Sequence, residues 1–522
     1  MAELSFIKTG LNKLYGISGI LLIVYVCAVF FLKFFDTYGY GEMFKVFRES
    51  IIVLVASIYF CPKILRFFEQ KSFRLNRSSS DKAALWKFGF FAVFFVWFSI
   101  RYLTFYPGVF FQDSISQYEQ ALTGNYNDWH PVLHTLLTFK LPLLLTGGWT
   151  GSIVLFQITV FSLVLAYSFN TILIHSNKIF TIVCVVLLML DNRVFSFAIS
   201  ALKDTAFAIC ALLLMTYAMK IYFSKGEWIN KPLNIGALAI VLIVATVLRH
   251  NAVLFTVPLM IAVAMYINKK KLFLLVLCAV VLFAGIKGPL YTALDVEQPG
   301  SRQVEVLGLP MTVIGAVAKY DYDALDEETK QFVDKIGDRD LWQKYWYGSY
   351  NSVKFLDETN NAVIEEYGVK KVLPMMVRAI ISSPMRALTG LIKLTCDLYF
   401  VNYETIYLET KVADNDVGLE QQGLLPLSSI YDYLTFLLPI GLFSTGTLHL
   451  LLIIAVLSKC KFKKFADWKK ALFILPIFAY NFGTMLLLTG SGDSPRFFFY
   501  TALLVPCSLV ILFNNEEKVV AQ

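Results

Sequence analysis

The chain has 522 residues, of which 57% are hydrophobic and only 16% are charged. Soluble globular domains have about 25% charged residues, so this composition excludes a soluble protein and favours an all-α polytopic membrane protein. The eight cysteines include no CxxC pair, which argues against a disulfide framework and against a metal cluster built on cysteine. The net charge of +8 follows the connections between apolar runs and does not indicate a nucleic-acid partner.

Apolar runs long enough to cross a bilayer core of about 30 Å recur along the chain. They predict about twelve transmembrane helices, at residues 15–35, 45–62, 84–104, 149–173, 179–199, 205–222, 232–248, 252–267, 272–288, 430–457, 471–489 and 496–513. The run from Pro131 to Leu145 is shorter and is predicted as an interfacial helix. The chain thus divides into a transmembrane core (1–290) with a long connection at 104–148, a polar region (291–430) and C-terminal transmembrane helices (431–522).

Lysine and arginine cluster in alternate connections, at 63–82, 225–231, 269–271 and 459–470. The positive-inside rule puts these connections in the cytoplasm. We therefore expect a multi-pass plasma-membrane protein with cytoplasmic N- and C-termini. The other connections, among them residues 104–148, then face the extracytoplasmic side.

The connection at 104–148, called loop 1 below, is unusually polar for a segment beside the membrane. Asp113 follows the turn signal Tyr106-Pro107-Gly108, and it is either a helix N-cap or a carboxylate that deprotonates an acceptor hydroxyl. His130 and His134 are four residues apart and are expected to share one helix face, where a zinc site, contact with a phosphate or sugar, and an interfacial role remain open. Further candidates for substrate binding in loop 1 are Gln112, Ser114, Gln117 and Asp128.

Three shorter turns on the same predicted side also hold ionisable residues. They are Lys203 and Asp204 before the sixth span, Arg249, His250 and Asn251 after the seventh, and Asp493 and Arg496 before the twelfth. Each has a simpler interpretation: a helix start for Lys203-Asp204, a headgroup contact for Arg249 and a local pair for Asp493 with Arg496. Ionisable groups at membrane depth are costly, however, and we expect these turns to converge with loop 1 in one extracytoplasmic site.

The polar region has 21 Asp and Glu residues against 13 Lys and Arg residues. Its length fits one small extracytoplasmic domain. Within it, Pro374 to Phe400 is amphipathic and is predicted either to lie on the membrane or to be a buried helix of that domain.

These features resemble the GT-C superfamily of membrane glycosyltransferases. The resemblance rests on an acid in the first large outer loop (Asp113), a second acidic outer turn (Asp204), an arginine before a late span (Arg496, in GDSPRFFFY) and a polar outer region late in the chain. More narrowly, YPG…QDS…Q followed by HPVLHTLL is similar to an uncharacterised bacterial multi-pass membrane protein family near that superfamily. The resemblance covers about residues 1–290 and 430–513 of this chain.

The resemblance implies transfer of a sugar from a polyprenyl-phosphate donor to an envelope glycan, lipid or protein acceptor, with inversion at the anomeric carbon. The resemblance makes Asp113 and Asp204 the catalytic residues: Asp113 is the base toward the acceptor hydroxyl, and Asp204 positions a sugar hydroxyl or an essential cation. Lys203, Arg249 and Arg496 then hold the donor phosphate. Many GT-C enzymes have tandem acids in the first outer loop. Here Gln112 and Ser114 flank Asp113, which favours a metal-independent site, although a divalent cation held with Asp204 is possible.

Two other classes of protein remain open. A transporter or flippase of lipid-linked envelope precursors has ionisable groups near the bilayer midplane, and Asp191 and Arg193 interrupt the fifth predicted span. The same two residues are also expected as a buried pair. A non-catalytic scaffold for envelope assembly, with the polar region as its binding module, is the third class.

Overall fold

A computed structural model describes residues 16–38, 43–70, 82–300, 303–400, 410–431, 443–460, 465–487 and 494–514. Across these ranges the chain is helical, and its β-structure is limited to isolated bridges. Seven of the described helices are long and apolar enough to cross a membrane: Ile17–Phe35, Lys45–Glu69, Ala83–Thr104, Gly151–His175, Lys203–Phe223, Lys269–Ala293 and Arg496–Phe513. The chain is therefore an all-α polytopic membrane protein.

The helices of the N-terminal part follow the predicted runs closely. They are α1 (Ile17–Tyr38), α2 (Met43–Gln70), α3 (Ala83–Thr104), α4 (Gln112–Thr123), α5 (Val132–Leu145), α6 (Gly151–His175), α7 (Lys178–Leu190), α8 (Asn192–Phe197), α9 (Lys203–Phe223), α10 (Pro232–Leu248), α11 (Val253–Ala264) and α12 (Lys269–Gly285). Five of the twelve predicted spans coincide with apolar helices of only 10–17 residues. The count of twelve crossings therefore stays a prediction.

The fifth predicted span is wrong as a continuous helix. Helix α7 ends at Leu190, and the Asp191 carboxylate accepts a hydrogen bond from the backbone N–H of Arg193 at the start of α8. The Arg193 guanidinium lies 2.8 Å from the other Asp191 oxygen, and both side chains are at most 3% exposed. The break is therefore a helix cap and a buried ion pair between near neighbours.

Helices α13 to α17 belong to the polar region. They are α13 (Gly308–Tyr320), α14 (Glu327–Ile336), α15 (Arg339–Tyr345), α16 (Ala362–Ser382) and α17 (Pro384–Thr395). They enclose an apolar core of their own, which includes the buried Trp342, Trp346 and Tyr350. The segment predicted as one amphipathic helix, Pro374–Phe400, is divided between α16 and α17 at Ser383.

The C-terminal helices close the membrane core. They are α18 (Thr445–Lys459), α19 (Leu475–Leu487), α20 (Ser494–Phe498) and α21 (Tyr500–Phe513). Buried residues make up 89% of the last span and 67% of the most apolar part of α9, but only 11% of that part of the first span. Helices α9 and α21 pack against each other at the centre, and the turns at their N-terminal ends position the site described next.

Candidate functional site

Backbone pairing brings loop 1 beside the start of α9. The Val109 N–H donates to the Ile199 carbonyl at 3.0 Å, and the Ala201 N–H donates to the Val109 carbonyl at 3.1 Å. Gly108 makes this approach possible, because a Cβ there would lie 2.5 Å from Val154 and its φ of +117° suits glycine. The pairing fixes the start of α4 against the start of α9.

Asp113 is the meeting point of two cations from different membrane helices. It lies in the first turn of α4, whose N-cap residue is Phe111, so Asp113 is not the N-cap. One oxygen, Oδ2, is 3.2 Å from the Lys203 Nζ and 3.6 Å from an Arg496 guanidinium nitrogen. The three side chains are 19–30% exposed, so a ligand can reach them.

A second ion pair lies buried behind the first. Asp204 pairs with Arg249, and the two side chains are 1% and 5% exposed. The Arg249 Nε donates to the Asn251 amide oxygen at 2.8 Å, and the Asn251 amide donates to the Thr484 hydroxyl. The Asp204–Arg249 pair is therefore much less accessible than Asp113, Lys203 and Arg496. The predicted contact of Asp204 with a sugar hydroxyl or cation stays a prediction.

Phe497 contacts the arginine of each ion-paired group. Its ring centroid is 4.7 Å from the Arg249 guanidinium carbon and 4.8 Å from that of Arg496. A guanidinium that lies against an aromatic ring gains electrostatic attraction and loses mobility. Phe497 was not among the predicted site residues, although its position directly after Arg496 was the available signal.

His130 is buried beside Lys203. The Lys203 ammonium donates to the His130 Nδ1 at 3.0 Å, so Lys203 lies between His130 and Asp113. Burial and the neighbouring Lys203 charge lower the pKa of His130 to about 4, against the opposing effect of Asp113. His130 is therefore a neutral hydrogen-bond acceptor at physiological pH.

The Asp113 carboxylate is held ionised. Burial alone would raise its pKa, but the charges of Lys203 and Arg496 together hold the pKa well below the usual range of an aspartate. The described cluster then has three cations against the two carboxylates Asp113 and Asp204, which is a net charge of +1 with neutral His130. Such a cluster attracts an anion.

Several predicted residues of loop 1 make internal bonds. Ser114 donates to the Ala201 carbonyl, and Gln112 donates to the backbone carbonyl of Asp414. The expected shared helix face of His130 and His134 is wrong, because α5 begins only at Val132. His134 is fully buried and its Nδ1 donates to the Gln117 side chain at 3.1 Å, so this pair stabilises the packing of α4 against α5.

Asp128 belongs to a different polar group. Its carboxylate accepts from the Lys287 ammonium and from the Tyr291 hydroxyl, each at 2.8 Å. Both partners lie at the end of the membrane helix that begins at Lys269. The Asp128 N–H donates to the Glu297 carbonyl and the Glu297 N–H donates to the Tyr126 carbonyl, which reinforces the contact. Lys287 and Tyr291 were not predicted, since nothing in their spacing indicates a partner so distant in sequence.

The remaining candidates lie around the cluster or outside the described ranges. His250 is exposed and close enough to His130 to lower its pKa, and Asn251 orients Arg249. Asp493 falls outside the described residues. No group of three or more His, Cys, Asp or Glu side chains suited to a metal ion occurs in the described part of the chain.

Comparisons of the chain with protein-family models, with curated proteins and with solved structures found no match.

Proposed function

We propose that the protein is a membrane glycosyltransferase that moves a sugar from a polyprenyl-phosphate donor to an envelope glycan, lipid or protein acceptor at the extracytoplasmic face. One observation supports this most: Lys203 and Arg496, from separate membrane helices, converge on a single oxygen of Asp113. A lipid-linked phosphate needs cations at the end of membrane helices, and an acceptor hydroxyl needs a nearby base.

The donor phosphate binds to Lys203 and Arg496 in this proposal. These cations are partly exposed, whereas Arg249 is buried and adds positive potential from behind. Because phosphate is a stable leaving group, the site needs fixed positive charge where the bond between sugar and phosphate breaks. The net charge of +1 of the described cluster, and the two guanidinium groups that contact the Phe497 ring, support this role.

Asp113 acts as the base toward the acceptor. In the absence of donor its two cations keep the pKa too low for an efficient base. A bound phosphate attracts the same cations and so weakens their pull on the carboxylate. The acceptor oxygen then attacks the anomeric carbon, its proton passes to Asp113, and polyprenyl phosphate leaves with the bonding electrons, which inverts the anomeric configuration.

The rival proposal is a transporter or flippase of the same lipid-linked precursors. Its main sequence support was the pair Asp191 and Arg193, and this buried pair is explained by the helix cap that separates α7 from α8. The glycosyltransferase therefore accounts for more of the charged residues.

One assay separates the two proposals. The purified protein is placed in vesicles with a panel of polyprenyl-phosphate hexoses labelled in the sugar, together with solubilised envelope material as acceptor. A glycosyltransferase releases polyprenyl phosphate and transfers the label to the acceptor. A flippase moves the label across the bilayer on intact lipid, and that outcome would overturn the proposal.

A further inference from the structure

The second half of α16 is apolar on two faces. One face, with Val372, Met375 and Ala379, is buried in the core of the polar region. The other face forms what we call the outer stripe, whose large side chains are 36–74% exposed: Val369, Leu373, Val377, Ile380 and Ile381. These positions recur at intervals of three and four residues, so they share one side of the helix.

The outer stripe begins where the helix changes direction. Gly368 has a φ of +63° and a ψ of 177°, which interrupts α16. The exposed acids Glu365 and Glu366 lie before this kink, and the outer stripe lies after it. The two exposed acids of α16 therefore precede the kink, whereas the outer stripe and the basic residues Lys370, Lys371 and Arg378 follow it.

Charged partners of α16 lie on another side of the helix. Arg378 pairs with Asp326 at 3.1 Å and with Glu328 at 2.8 Å. At about 100° per residue, Arg378 projects well away from the centre of the outer stripe. The acidic start of α14 therefore does not cover the apolar residues.

The neighbouring helix α17 connects this face to the membrane. Helix α17 packs against α16, against the membrane helix α1 and against the apolar helix α19. Met385 of α17 and Val29 of α1 pack against the same apolar cluster as Phe35. These contacts place α17 beside the Phe35 end of the first candidate membrane span.

We infer that the outer stripe of α16 lies in the bilayer, at the boundary between lipid headgroups and acyl chains. Helix α16 packs against α17, which itself contacts the first membrane span, and it carries an exposed apolar stripe. These are the properties of an interfacial membrane helix. The polar region then rests on the membrane beside the charged cluster. The adjacent Glu365, Glu366, Lys370 and Lys371 balance in charge, so the contact is apolar and does not require anionic lipid. This inference is independent of the proposed transferase activity.

Photo-cross-linking in the full chain tests the inference. The photoreactive residue p-benzoylphenylalanine is placed singly at Leu373, Val377 or Ile381, and the protein is reconstituted in phosphatidylethanolamine–phosphatidylglycerol vesicles. Val280, 58% exposed on the membrane helix α12, is the positive control. Gln331, exposed on α14, is the negative control. A variant that fails to fold is replaced by Val369.

We expect lipid adducts at the three positions of the outer stripe in yields within about threefold of Val280, and at least about tenfold above Gln331. Yields should be unchanged in vesicles without phosphatidylglycerol, since the contact is apolar. Adducts no more frequent than at Gln331, or cross-links to a second copy or another protein, would overturn the inference. Loss of adducts without phosphatidylglycerol would refute its apolar basis.

Discussion

The sharpest prediction concerns the substitution Asp113→Asn. The change keeps the shape of the side chain and removes the charge that faces Lys203 and Arg496 at 3.2 and 3.6 Å. The Coulomb attraction in each contact is about 1 kcal/mol in bulk water and about 5 kcal/mol at an effective dielectric constant of ~20. Because the three side chains are 19–30% exposed, we expect the substitution to lower the free energy of unfolding by an amount near the lower end of that range.

The effect on catalysis should be larger and of a different kind. Loss of a general base lowers kcat by about 10²- to 10⁴-fold. The donor KM should stay level or fall, because the described cluster goes from a net charge of +1 to +2 while Lys203 and Arg496 remain. The assay is release of polyprenyl phosphate from labelled donor at a series of donor concentrations.

Glu119→Gln is the matched control. It makes the same change from carboxylate to amide on an exposed residue of the same helix, α4. It should leave kcat and KM unchanged. An Asp113→Asn protein that turns over at the wild-type rate would refute the role of Asp113 as the base, whereas a raised KM with normal kcat would assign it to donor binding.

The further predictions concern Lys203, Arg496 and His130 beside Asp113, and Lys287 beside Asp128. Lys203→Met and Arg496→Gln should each raise the donor KM at least about tenfold, a loss of roughly 1.4 kcal/mol, with partial recovery in Arg496→Lys. His130→Gln should retain most activity because its amide oxygen can accept from Lys203, whereas His130→Lys should lose it by repulsion. In the wild type, kcat/KM should fall as the pH decreases through about 4, since protonated His130 repels Lys203, and His130→Gln should lack this fall. Lys287→Met should lower the apparent Tm by several degrees, because Asp128 loses a partner in a largely buried site.

Controls make these outcomes specific. Arg339→Gln removes an arginine that is 50% exposed in the polar region, and it should leave the donor KM unchanged. Equal activity of His130→Gln and His130→Lys would show that the charge at this position is irrelevant. An unchanged Tm for Lys287→Met would show that its contact with Asp128 adds no stability.

The sequence allowed the helical membrane architecture and much of the cluster to be predicted. Long apolar runs locate helices because the bilayer requires that length, and ionisable residues beside those runs are costly enough to stand out. Asp113, Lys203, Arg249 and Arg496 stand out in the sequence for this reason, and the structure brings them together. Their catalytic roles stay a prediction.

Other features could not be predicted, because they depend on contacts between distant residues or on local backbone effects that hydropathy does not show. The pairing of Asp128 with Lys287 spans 159 positions, and no local pattern indicates it. Asp191 was noted as an interruption of the fifth predicted span, but the capping hydrogen bond that ends the helix there is not visible in hydropathy. His130 and His134 have the spacing of a shared helix face, but Pro131 lies between them and the helix starts only after it.

The central claim is that Lys203 and Arg496 receive the phosphate of a lipid-linked sugar beside Asp113. The most direct measurement is an experimental structure of the purified protein with a non-transferable polyprenyl-phosphonate sugar analogue. We predict the phosphonate group within hydrogen-bonding distance of both cations and the anomeric carbon facing the Asp113 carboxylate. A phosphonate bound elsewhere, with the contact of Lys203 and Arg496 to Asp113 unchanged, would contradict the account.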